Sequence, residues 1–174
     1  CTYSVTFGFA SCTVIDKTGN VVARFYAKAS EKSGTTNAVD VRYRTSDTEG
    51  YAFFYGMDSL DAEYGLYFIN ETGTHRLPLY EIMGMTIDHI EVLNGKYVYV
   101  PIGQYQLYDN EGALILDIDD TCGFTPLSIK IFEDKYVEVT YEKDEEYYVS
   151  VVDFNGTEIK PAVLEKDYVS DFTS

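Results

Sequence analysis

The chain contains no tryptophan, only two histidines and three cysteines, and 13 lysines and arginines against 29 aspartates and glutamates. Each scarcity excludes something. His75 and His89 do not form a His-Glu-x-x-His motif and no cysteine pair has zinc spacing, so a zinc centre has little to build on. There is no Gly-x-x-x-x-Gly-Lys-Ser/Thr or Gly-x-Gly-x-x-Gly loop to cradle a phosphate. A nucleophile elbow is also missing; the nearest glycine-flanked serine lies in Lys32-Ser33-Gly34. No apolar run approaches the ~18 residues that a membrane-spanning helix needs. The formal net charge of -16 repels polyanions, which argues against nucleic acid and anionic lipid as partners. Beyond keeping a protein soluble, such acidity suits a cationic, calcium-bearing or neutral partner such as a glycan.

Cys1, Cys12 and Cys122 allow at most one disulfide. A Cys12 to Cys122 bridge would tie the first repeat to the third, and buried free thiols are the alternative. A chain opening on Cys1 reads as a processed form or an excerpt of something longer, and the expected setting is extracellular or the bacterial cell envelope. A lipid anchor on Cys1 is a second reading, although Thr2 to Phe9 looks like a strand instead of a polar tether.

What the chain does have is repetition and tyrosine. One phrase recurs, an apolar run, Asp or Asn, two loose residues, Gly and a second apolar run. It occurs at Cys12 to Val22, Leu66 to Leu77, Tyr105 to Leu116 and Val149 to Lys160. The turn residues Asp16, Asn70, Asp109 and Asp153 are spaced by 54, 39 and 44. A short polar side chain that bonds the amides ahead of it, followed by a glycine in the left-handed region, makes a hairpin turn. A second phrase, GKYVYV at Gly95 to Val100 and DKYVEV at Asp134 to Val139, repeats at an offset of 39, with EGYAFFY at Glu49 to Tyr55 in the equivalent place. Between the turns, Val39 to Arg44, Leu127 to Ile131 and Val137 to Glu142 alternate apolar with polar residues, as strands with one buried face do. The 17 tyrosines and 10 phenylalanines suit such pleated surfaces. Leu79 to Leu93, the only helix competitor, reads better as strand.

These signals predict an all-β, antiparallel repeat architecture in a single domain, with approximate units at 1–45, 46–90, 91–130 and 131–174 and a polar loop insertion at Ser30 to Ala38. About four short strands per unit of roughly 40 residues is the size of a β-propeller blade. A small or partial propeller of about four blade-like units is therefore expected, with an open β-solenoid or a sandwich-like row of hairpins as the alternative.

Tyr64-Gly65-Leu66-Tyr67-Phe68-Ile69-Asn70-Glu71-Thr72-Gly73 resembles the Trp-Gly-apolar-apolar-Asp-x-x-Gly hairpin of bacterial WG-repeat proteins, with Tyr for Trp and two residues added. Phe132-Glu133-Asp134-Lys135-Tyr136-Val137-Glu138-Val139 is similar to the stretch that follows it in that family. The resemblance implies a role in binding or assembly and supplies no catalytic residue.

Candidate chemistry is sparse. Asp117 and Asp119, read as alternate residues of one strand, would share a face, and with Asp120 could ligate calcium or provide the paired carboxylates of a hydrolase. Glu142 to Glu146 reads as a solvated hairpin tip. His75, after a turn, reads as exposed, and His89 as the partner of a carboxylate. Tyr105, Tyr108, Tyr141, Tyr147 and Tyr148 lie beside carboxylates and could stack on a sugar ring; the competing reading is that they pack blades together. The expectation is thus a noncatalytic interaction domain that recognises a protein or glycan. A structural module of a larger assembly comes next, and an acidic-residue hydrolase last.

Overall fold

The computed structural model describes residues 2–6, 9–30, 38–39, 42–46, 50–57, 65–77, 89–101 and 105–170. Two compact units divide the chain, Cys1–Asp88 and His89–Ser174. The first holds one sheet of β1 (Thr2–Thr6), β2 (Phe9–Ile15), β3 (Val21–Ser30) and β4 (Ala38–Val39). Its second sheet comprises β5 (Arg42–Ser46), β6 (Tyr51–Gly56), β7 (Gly65–Asn70) and β8 (Gly73–Leu77). The second unit holds β9 (Glu91–Leu93), β10 (Tyr97–Val100), β11 (Gln106–Tyr108) and β12 (Leu114–Asp117), then helix α1 (Ile118–Cys122). Its last sheet is β13 (Pro126–Phe132), β14 (Tyr136–Lys143), β15 (Glu146–Asp153) and β16 (Glu158–Leu164), followed by a 3-10 turn at Glu165–Asp167. Among the described residues every sheet is a four-stranded antiparallel meander in which each strand pairs with its neighbours in sequence. The all-β, antiparallel character read from the alternation is thus the character of the fold.

The repeated phrase builds the hairpins. Asp16 Oδ1 accepts from the amides of Thr18 at 2.8 Å and Asn20 at 2.9 Å. Asp109 does the same for Glu111 and Ala113, and Asp153 for Asn155 and Thr157. In these three turns Gly19, Gly112 and Gly156 sit at φ +90, +86 and +77, where a side chain is strained. The Asn70 turn differs, because Asn70 pairs directly with Gly73 and only Glu71 and Thr72 form the loop.

The amide bonds have an electrostatic consequence. Hydrogen bonds from Thr18, above all, and from Asn20 lower the Asp16 carboxyl from its ordinary 3.8 to about 2. The amides of Thr157 and Asn155 lower Asp153 in the same sense. A depressed folded value means the turn's contribution is whole above the unfolded value of 3.8 and is lost as pH falls through about 2. Acid is expected to loosen the Asp16 turn in that window and to spare the Asn70 bonds to Thr72, because the Asn70 side chain is an amide that takes up no proton there. A carbon-13 titration of the Asp16 carboxyl should give a midpoint near 2; a midpoint at the ordinary value would contradict the turn geometry.

Within each unit the two sheets share a core. In the first, Cys12, Phe25, Phe54, Tyr67 and Ile69 pack together, and the Phe25 ring stacks on Phe54 at 4.7 Å. A backbone bridge joins Tyr26 to Met57, 2.7 and 2.9 Å. Gly56 permits that approach, since a Cβ there would stand 2.9 Å from the Tyr26 carbonyl oxygen. In the second unit the core is Tyr97, Tyr99, Leu107, Leu116, Ile118, Ile129, Ile131, Val137, Val139 and Val152. Like turns stand side by side there: Lys96 Nζ donates to Asp134 Oδ2, and Asn94 Nδ2 to the Ile131 carbonyl at 3.1 Å. These are equivalent turns of the repeated second phrase, so its offset of 39 corresponds to one sheet stacking on the next.

Several expectations need correcting. Val39 and Arg42, expected on one strand, belong to β4 and β5 of different sheets; Leu127, expected on a buried face, is 57% exposed, and Glu138, expected on the open face, is buried with Val137 and Val139. Gly65 to Ile69 of β7 and all of β10 and β11 are buried on both faces. Asp119 and Asp120 lie on a helix, so the shared strand face with Asp117 does not exist. Asp117 Oδ1 caps that helix at the Asp120 amide, and Gly123 at φ +72 ends it. Cys122 is a free thiol while Cys12 is disulfide-bonded, which excludes the bridge between them. Cys1, Ser33, Gly34, Tyr64, residues 31–37 of the loop insertion and residues 79–88 of the Leu79 to Leu93 run lie outside the described residues; Glu91–Leu93 of that run is strand.

Candidate functional site

The outer face of the last sheet, opposite its core side, carries a cleft of about 490 Å3. Alternation along the strands delivers its residues. Ile129 and Ile131 of β13 and Val137 and Val139 of β14 point into the shared core, so Lys130, Phe132, Glu138 and Thr140 emerge on the other side. Val149 of β15 joins them, and Glu165, Tyr168 and Ser170 from the segment after β16 complete the lining. Glu138 sits on an inner strand of the sheet and is only 5% exposed. Its Oε1 accepts from Lys130 Nζ at 3.2 Å. Its Oε2 is buried and receives no hydrogen bond. A carboxylate oxygen removed from water in this way is costly and draws an N–H or O–H donor.

Sequence reasoning placed Glu138 on a solvated face and so missed it. A local signal was present in Val149, Val151 and Val152, a nearly unbroken apolar run where strict alternation would need polar residues, which marks a strand covered on both sides. A smaller groove of about 240 Å3 lies nearby, lined by Glu145, Glu146, Tyr147, Leu164, Glu165 and Lys166.

The residues singled out from the sequence are dispersed. Tyr108 is fully buried and its hydroxyl donates to Gln106 Oε1. Gln106 Nε2 in turn donates to Asp117 Oδ2 at 2.7 Å, so both Asp117 oxygens serve the scaffold. Burial and then the Asp117 charge push the Tyr108 hydroxyl well above its ordinary value. Asp119 Oδ1 accepts from Thr125 Oγ1 at 3.5 Å, and Asp120 is exposed. Among the described residues no group of three or more His, Cys, Asp or Glu side chains is arranged to hold a metal. Tyr141 is buried between Phe124, stacked at 3.8 Å, and Tyr148, stacked at 5.9 Å. Tyr105 packs half-buried on the core of the second unit. Only Tyr147 of the five is exposed. His75 is half-buried against Phe68. Thr72 Oγ1 gives its one proton to Asn70 Oδ1, so it accepts from His75 Nε2–H at 2.7 Å, and the ring completes the turn. His89 is exposed.

No protein-family model, curated protein or solved structure matches this chain.

Proposed function

We propose that the chain is a noncatalytic binding domain built of propeller-type blades, of the kind that the resemblance to WG repeats implies, and that it recognises a protein or glycan at the Glu138 cleft. Four four-stranded meanders are what blades require, and the side-by-side like turns of Lys96 and Asp134 are how neighbouring blades would stack. The disulfide at Cys12 fits an oxidising, extracellular or envelope setting. The observation that carries the reading is a concave surface of mixed aromatic, aliphatic and charged side chains with the nearly buried Glu138 in its lining.

Glycan and peptide arrays, each probed with and without calcium, test it. Binding by the wild-type chain and its loss in Glu138→Gln are expected. Binding retained by that variant would move recognition elsewhere, and silence on both arrays would leave the structural-module reading in its place. A hydrolase reading has one observation in its favour, since Glu138 and Glu165 are two carboxylates lining one cleft. Nitrophenol release from nitrophenyl glycosides, abolished by Glu138→Gln, would establish it.

A further inference from the structure

Two Asn-x-Thr triplets fall in the repeated turns, Asn70-Glu71-Thr72 and Asn155-Gly156-Thr157. This is the acceptor pattern for N-linked glycan transfer, and it asks for an asparagine at the surface of an exported chain. The fold treats the two differently. Asn70 closes β7, is half-buried and pairs with Gly73 across the hairpin. Its Oδ1 accepts from the Thr72 amide at 2.9 Å and the Thr72 hydroxyl at 2.7 Å, so the carboxamide is itself the piece that builds the turn. Asn155 and Thr157 lie between β15 and β16 and are exposed. There Asp153 builds the turn, taking the Asn155 and Thr157 amides at 2.9 Å each. The Asn155 side chain adds only a further bond to that carboxylate. A carboxamide nitrogen carries two hydrogens, so one remains for this bond after a sugar replaces the other. The turn packs through Gly156, where an added Cβ would meet Thr121 and Leu116. β16, which leads away from it, is an edge strand whose first residues, Glu158 and Ile159, are exposed as well, and this leaves room for a branched sugar.

We propose that Asn155 is an N-glycosylation site and that Asn70, despite the same triplet, is not. The disulfide at Cys12 fits the oxidising, exported setting in which such transfer takes place. Asn155 Nδ2 attacks C1 of the first sugar of a polyprenyl-pyrophosphate-linked oligosaccharide. The bond from C1 to nitrogen forms as the bond from C1 to the pyrophosphate oxygen breaks. The polyprenyl pyrophosphate leaves with the electron pair, one amide proton passes to a base of the transferase, and nothing is oxidised or reduced. Because Asp153 keeps both amides of the turn, the glycan leaves the hairpin intact.

The test exports the full chain, behind a cleavable signal, from a eukaryotic secretory host. Intact mass is read before and after peptide N-glycosidase in heavy-oxygen water, which marks each former glycan site as labelled aspartate. Label at Asn155 is expected, with Asn70 at no more than about a fifth of that occupancy. Asn155→Gln and Thr157→Ala should each lose the glycan mass while their far-ultraviolet circular dichroism matches the wild type, and Thr157→Ser should retain it. A wild-type chain exported without glycan, or altered at Asn155 only by the small mass gain of deamidation, would overturn the proposal. Asn70 labelled as heavily as Asn155 would overturn the selection by the fold, and a glycan retained in Thr157→Ala would place the sugar elsewhere and overturn the site. The arrays that test the cleft use unmodified chain, so failure here leaves that reading standing and silence there leaves this site standing.

Discussion

Gly156→Ala is expected to destabilise the second unit by about 3 kcal/mol, whereas the same change at Gly19 costs about 1 kcal/mol. Both glycines end an Asp-x-x-Gly turn in the left-handed region, at φ +77 and +90, so both variants bear the conformational penalty of a side chain there. They differ in surroundings. A Cβ on Gly19 meets nothing within 4 Å, while one on Gly156 overlaps Thr121 Cγ2 and stands 3.2 Å from Thr121 Cβ and 3.5 Å from Leu116 Cδ1. Rotating Thr121 does not clear its own Cβ, so the turn or α1 has to move. Urea unfolding followed by tyrosine emission, the natural probe in a chain without tryptophan, measures both. Thr121→Ala placed in the Gly156→Ala background should recover most of the excess over Gly19→Ala. Equal losses at the two glycines would mean that the fourth turn does not rest on the helix.

Phe25→Ala is expected to cost about 3–5 kcal/mol. The ring is 2% exposed, stacks on Phe54 and tilts against Tyr67 at 5.3 Å. It is therefore the side chain of β3 that bonds the first sheet to the second. Its loss should open a cavity between them and speed amide exchange along β2 and β3. Ile15→Ala on the same sheet, where the residue is 49% exposed, should change stability by less than about 0.5 kcal/mol. A comparable loss at Ile15 would show that the first sheet is held by its other face.

The strands and hairpins were legible because their causes are local. Side-chain alternation has a period of two, and Asp16, Asp109 and Asp153 bond amides no more than four residues ahead. The Asp117 to Asp120 segment was misread although its signals are equally local. Alternation suggested a strand, but an Asp cap ahead of Ile118 and a glycine stop at Gly123 outweighed it. Of the candidate cleft only one trace was legible, the nearly unbroken apolar run of Val149, Val151 and Val152. Glu138 and Thr140 follow the same alternation as a solvated face would, and the residues that share the cleft with them, Glu165, Tyr168 and Ser170, come some 30 positions later. Tyr108 failed as a sugar-stacking candidate for a related reason, since its neighbour Gln106 folds back to take the hydroxyl.

The meander has a consequence for how such a chain changes over generations. Within each described sheet every strand pairs only with the strand before or after it, so the ladder of a sheet is closed within one stretch of sequence, and the Tyr26–Met57 bridge joins two such sheets. A duplication or deletion of one repeat-length stretch of coding sequence adds or removes a whole sheet without rethreading the others. Such a chain can lengthen or shorten in steps of one sheet, and each step brings a new pair of hairpin tips on which selection can act.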